Sequence, residues 1–180
     1  CDWLGDNFFR EAEYLKLSNP EAYAHEYLGE VTGTGGTVFA NVKLKSISDE
    51  EINAFDKIKR GIDFGFAADP FVYVAAHYDG KHKRLYIFDE IYKVGLSNAR
   101  AAELINERGQ YSQYIICDSA EPKSINDFRQ LGFRVRGAKK GPDSIEYGIK
   151  FLQSLDEIII DNIRCQRTAE EFYNYELEPD

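Results

Sequence analysis

Lys59-Arg60-Gly61-Ile62-Asp63-Phe64-Gly65-Phe66 is the stretch on which the fold turns. A run of strand-formers closes there on an aspartate and gives way to a turn, and Tyr114-Ile115-Ile116-Cys117-Asp118 repeats the arrangement. Neighbouring strands lie about 4.8 Å apart, so if these two are adjacent and parallel their carboxylates emerge side by side at one sheet edge. Two acids so close repel, and such a pair invites a divalent cation.

The elements around these strands follow from periodicity and punctuation. Residues 59–65, 71–78 and 84–92 read as three strands, the second and third joined by the hairpin signal Asp79-Gly80. A helix over 97–108 is capped by Ser97. Then come a strand over 114–118, a helix over 122–131 stopped by Gly132, and a strand over 133–136. The capping box Asp143-Ser144-Ile145-Glu146 opens the next helix, with Ile145, Ile149 and Leu152 on one face, before a strand over 157–161 and a helix over 165–176.

Three sequential strands followed by alternating helix and strand is the order of the ribonuclease H-like fold, an α/β class in which the fourth strand pairs in parallel with the first. The expected architecture is a mixed sheet of five to six strands with helices on both faces, occupying 59–180. Residues 1–58 read as a helical extension and linker: helices over 6–17 and 19–27, then the connector Thr32-Gly33-Thr34-Gly35-Gly36-Thr37, with Val38-Phe39 and Val42 able to add a short strand.

Composition narrows the function. Hydrophobic residues make up 43% of the 180, with 12 Tyr and 12 Phe, enough for a packed core. The three cysteines, Cys1, Cys117 and Cys165, form neither a disulfide framework nor a zinc spacing, and no apolar run is long enough to span a membrane. His25, His77 and His82 lack ligand spacing. The net charge of −9 argues against gripping nucleic acid by bulk electrostatics. Basic residues nevertheless gather at Lys123, Arg129, Arg134, Arg136, Lys139 and Lys140, against the two acids Glu121 and Asp127, in a stretch that either faces a phosphate backbone or is a solvated surface.

In its motifs the chain resembles the C-terminal nuclease domain of bacteriophage and prophage large terminase subunits. The resemblance rests on Tyr23-Ala24-His25-Glu26-Tyr27-Leu28-Gly29-Glu30, Gly61-Ile62-Asp63-Phe64-Gly65, Phe88-Asp89-Glu90-Ile91-Tyr92, Cys117-Asp118-Ser119-Ala120-Glu121-Pro122-Lys123-Ser124 and Ala138-Lys139-Lys140-Gly141-Pro142-Asp143-Ser144-Ile145, in that order. It implies a metal-dependent endonuclease that cuts concatemeric double-stranded DNA during packaging in the host bacterial cytoplasm, with portal protein and small terminase subunit as partners. Its two Mg²⁺ or Mn²⁺ ions would be held by Asp63 and Asp118. Asp69 sits where some relatives carry a further acid; as a turn residue before Pro70 it has an equally plain reading. Glu90, Ser119 and Glu121 are candidates to orient the ligands, and Lys139, Lys140, Lys123 and Arg136 are candidates to meet DNA.

Two departures from the family pattern define the remaining expectations. The family's third acid lies on a helix beyond the elements seen here, and of the late acids neither Asp161 nor Asp180 has the expected local pattern, so the nuclease domain reads as truncated. No P-loop is present, so the motor ATPase domain that precedes the nuclease in this family is missing, and Cys1 in place of Met agrees with an excised piece. Two rival readings stand beside the nuclease: a non-catalytic docking module of the packaging motor with an incomplete acidic site, and an actin- or sugar-kinase-like ATPase. The second lacks a glycine-rich phosphate turn at 117–122.

Overall fold

The computed structural model describes residues 38–65, 69–109 and 114–175. The helices expected over 6–17 and 19–27, the connector at 32–37, His25 and Asp180 lie outside them. In chain order the elements are β1 (Val42–Lys45), α1 (Asp49–Ala54), β2 (Ile58–Asp63), β3 (Pro70–Asp79), β4 (Arg84–Val94), α2 (Asn98–Glu107), β5 (Ile115–Cys117), α3 (Pro122–Gln130), β6 (Val135–Gly137), α4 (Ser144–Gln153), β7 (Glu157–Asp161) and α5 (Gln166–Asn174).

One sheet organises them, in the order β1-β7-β4-β3-β2-β5-β6. The meander β2-β3-β4 is antiparallel, β5 pairs with β2 in parallel and β6 with β5 in parallel, as the element order requires. The sheet has seven strands, one beyond the five to six expected, because β1 adds in parallel to the edge of β7. Chain neighbours alone cannot reveal that pairing: Val42 meets Ile158.

Strand alternation sends side chains to two faces, and each face has its own core. On one, Ile62, Phe71, Tyr73, Ile115 and Cys117 pack under Ala101, Ala102 and Ile105 of α2 and Ile125 and Phe128 of α3. On the other, Ile87, Ile158 and Ile160 meet Ile149 and Leu152 of α4 and Ala169 and Phe172 of α5. Helices therefore cover both faces, and each large side chain so buried contributes about 1.5–3 kcal/mol.

Local signals were mostly obeyed, with instructive exceptions. Ser97 caps α2 by accepting from Arg100 N–H at 3.3 Å, and Gly132 ends α3 at φ 92°. Asp143, by contrast, sits in the left-handed region at φ 58° and makes no side-chain cap, so the expected capping box does not form. Ile145 is 76% exposed while Ile149 and Leu152 turn inward, so the expected apolar face is two residues wide. The β3–β4 turn spans four residues, since Asp79 pairs with Arg84 and its carboxylate receives the N–H groups of Lys81 and His82.

Candidate metal centre

Parallel pairing brings the two aspartates together. Ile62 aligns with Cys117, and Asp118 N–H donates to Ile62 C=O at 3.3 Å, so Asp63 and Asp118 leave the sheet side by side. Ile62 and Cys117 are buried under α2 and α3, so Asp63, and Asp118 just past the end of β5 where its N–H continues the ladder, point to the opposite face, where α5 lies. Gly65 makes the exit of β2 possible: a Cβ there would stand 2.2 Å from Asp69 O and 2.3 Å from Pro70 C, which only glycine avoids.

The two carboxylates have different surroundings. Asp63 is exposed, and among the described residues no hydrogen-bond donor reaches it. Asp118 accepts from Ala120 N–H at 2.9 Å and from the Lys140 ammonium, which stands 2.7 Å from Oδ1 and 3.0 Å from Oδ2. The Lys140 contact, aided by the backbone N–H groups of Ala120 and Ser119, holds the Asp118 carboxyl below its usual range, so it stays ionised.

A cavity of about 610 Å³ opens beside Asp63 on the α5 face, lined by Asp63, Asp69, Val72, Tyr92, Arg167 and Glu171 among others. Register explains the membership, since Asp63 aligns with Val72 and Val72 with Tyr92. Asp69 thus shares a cavity with Asp63. Glu171 had no assigned role in the sequence, because only the docking of α5 against the sheet brings it here.

Glu90 does something other than face the cavity. Its carboxylate receives Arg167 N–H at 3.0 Å, Thr168 N–H at 2.9 Å and the Thr168 hydroxyl at 2.8 Å, which satisfies donors in the first turn of α5 and fixes where that helix begins. Arg167 then lays its guanidinium 5.7 Å from the centre of the Tyr92 ring. The wall of the cavity opposite Asp63 is therefore tied to β4 by charge and by an aromatic contact.

The other candidates fall into place around this edge. Ser119 packs against Gly137, where a Cβ would meet the serine Cβ at 3.1 Å. Glu121 is the N-cap residue of α3 and receives the Ser124 hydroxyl at 3.5 Å, so its side chain is directed to its own helix. Arg136 shares the face of Asp118 and stands 5.3 Å over the Tyr114 ring. Lys123 is exposed in the first turn of α3, and Lys139 is exposed just beyond β6.

Asp161 proves to be structural. It is fully buried and accepts from the N–H groups of Ile47 at 3.1 Å, Ile163 at 2.9 Å and Arg164 at 2.9 Å and from the Arg164 guanidinium at 2.8 Å. Burial opposes its charge, but these donors outweigh burial and hold its carboxyl below the usual range.

The oxygen donors at the strand exits fit a hard cation: two carboxylates share one face, and Asp118 already holds an ammonium in the manner of a bound cation. Among the described residues, no three His, Cys, Asp or Glu side chains gather closely enough to hold an ion by themselves.

Comparison with known proteins identifies the family and the fold. Residues 63–180 match the family described as the terminase RNase H-like domain. The terminase large subunit of Bacillus phage SPP1 is 41% identical over 182 residues, covering 99% of this chain and 43% of that protein. The PBSX phage terminase large subunit of Bacillus subtilis strain 168 is 30% identical over 188 residues, covering 98% and 40%. The chain thus spans about two fifths of the length of these curated relatives. Among solved structures, the large terminase nuclease domain of bacteriophage SPP1, with bound Mn, superposes with a TM-score of 0.75 at 39% identity, covering 79% of this chain and 82% of that one. The P22 large terminase nuclease domain, at 12% identity and a TM-score of 0.54 over 67% of this chain and 68% of that one, shares the fold.

Proposed function

This chain belongs to the terminase RNase H-like domain family, and we propose that it is a Mg²⁺- or Mn²⁺-dependent endonuclease that cleaves concatemeric double-stranded DNA by two-metal-ion hydrolysis. The observation that carries the reading is the emergence of Asp63 and Asp118 side by side on one face, at the exits of two parallel strands. The SPP1 nuclease domain with bound Mn supports the choice of ion.

In this reading Asp63 and Asp118 hold the cations, with Asp69 an additional carboxylate at the rim. Bound there, the ions would activate water and stabilise the leaving oxyanion. The residues of this chain supply the rest: Ala120 N–H keeps Asp118 oriented, while Glu90 holds α5 as the far wall of the cavity. Lys139, Lys140, Lys123 and Arg136 stand near the same edge of the sheet and would meet the phosphate backbone.

The place of action would be the host bacterial cytoplasm, within a packaging machine that includes a portal protein, a small terminase subunit and an ATPase motor joined to the leading segment. No helix among the described residues is long and apolar enough to cross a membrane.

Supercoiled plasmid tests the proposal. Nicked and linear products in Mn²⁺, and none in a chelator, are the expected result. Intact plasmid at saturating Mn²⁺ would favour the second reading, a docking module without turnover, which the net charge of −9 and the two-carboxylate cluster support. Replacing both Lys139 and Lys140 by Ala should weaken duplex binding and flatten its salt dependence by about one to two counterions, each phosphate contact contributing roughly 0.9 to the slope. Binding measured across a salt series checks this, and an unchanged slope would place both lysines on the solvated surface.

A further inference from the structure

The Lys140 ammonium lies within hydrogen-bond reach of both oxygens of Asp118, at 2.7 and 3.0 Å, whereas its neighbour Lys139 forms no ion pair among the described residues. The sheet sets this contact. Gly137 aligns with Cys117, and Ala138 N–H donates to Cys117 C=O at 2.7 Å, so the chain leaving β6 runs alongside the chain leaving β5 and brings Lys140 to Asp118. The close approach of Gly137 to Ser119 keeps the two exits together.

We propose that Lys140 is a tethered counter-ion that competes with the metal for Asp118, and that a DNA phosphate draws it away, so that DNA binding and metal loading reinforce each other. An ammonium and a divalent cation cannot share the same carboxylate oxygens without repulsion. Phosphate offers Lys140 an alternative anion at the same edge, and withdrawal of the lysine leaves Asp118 open to the ion. Thermodynamic reciprocity then requires that DNA raise metal affinity by the factor by which metal raises DNA affinity. The pair is solvent-accessible, with side chains 57% and 34% exposed, so the effect is a modest one of about two- to fivefold. In the absence of DNA the lysine keeps the centre under-loaded.

The inference rests on the reading of Asp118 as a metal ligand, and the experiment separates the two. Mn²⁺ is titrated into the full-length protein, with and without a short DNA duplex, and free Mn²⁺ is read by electron paramagnetic resonance for the parent, Lys140→Gln, Lys140→Arg and Asp118→Asn. Lys140→Gln should bind Mn²⁺ about two- to fivefold more tightly than the parent without DNA, and should lose most of the gain that DNA confers on the parent. Lys140→Arg keeps the charge and should bind no more tightly than the parent. If Lys140→Gln matches the parent or binds more weakly while Asp118→Asn loses affinity, the counter-ion role is overturned and the ligand reading stands. If Asp118→Asn leaves affinity unchanged, the ligand reading itself fails and the counter-ion role falls with it.

Discussion

Asp63→Asn should lower Mn²⁺-dependent DNA cleavage by at least about a hundredfold while leaving the fold intact. The amide keeps the size of the side chain but removes the anion, and a metal centre built from few protein carboxylates loses several kcal/mol of charge stabilisation with it. Each 1.36 kcal/mol is a factor of ten in rate, so even the low end of that loss exceeds ordinary assay scatter. The fold should survive because Asp63 is exposed and no described donor depends on it. Plasmid cleavage at saturating Mn²⁺, with circular dichroism and thermal melting as controls, is the measurement. A variant that melts like its parent and cuts at the parent rate would remove Asp63 from the chemistry.

The opposite profile is expected at Asp161. Asp161→Ala should destabilise the domain by about 3 kcal/mol, because it leaves the Ile47, Ile163 and Arg164 donors without their acceptor at a fully buried position. For a domain of this size that corresponds to a fall in Tm of about 6–12 °C. The pH dependence has a definite sign. The folded-state carboxyl is held below its ordinary value, so its stabilisation is fully present above the unfolded pKa of about 3.9 and is lost as pH falls through the folded one. Asp161→Ala should therefore cost most at neutral pH and least in acid. Melting curves from pH 7 down to pH 3 test this, and a cost independent of pH would mean that charge is not what Asp161 contributes.

Much of the fold was legible because the decisive signals are local. An apolar strand ending in aspartate before a glycine turn can be read at 59–65 without knowing anything else, and so can the Ser97 cap or the Gly132 stop. The adjacency of Asp63 and Asp118 followed from one topological rule, parallel pairing of the first and fourth strands of the domain. What could not be read depends on partners far along the chain. Glu90 looks like an exposed strand residue until α5 arrives from 77 residues away and places its N–H groups on the carboxylate. Asp161 resembles any late acid until Ile47 and Arg164 surround it. The failed capping box at Asp143 is a different lesson: the motif fits any Asp-x-x-Glu, but a residue held at φ 58° has the wrong backbone geometry to use it.

The alignment of Ile62 with Cys117 has one more implication. It joins segments separated by more than fifty residues, with a hairpin and a helix between them, and long-range parallel pairing of this kind forms late in folding. A slip of one residue in that register would send Asp118 to the opposite face, away from Asp63. The side-by-side arrangement of Asp63 and Asp118 therefore exists only once β2 and β5 have paired in this register.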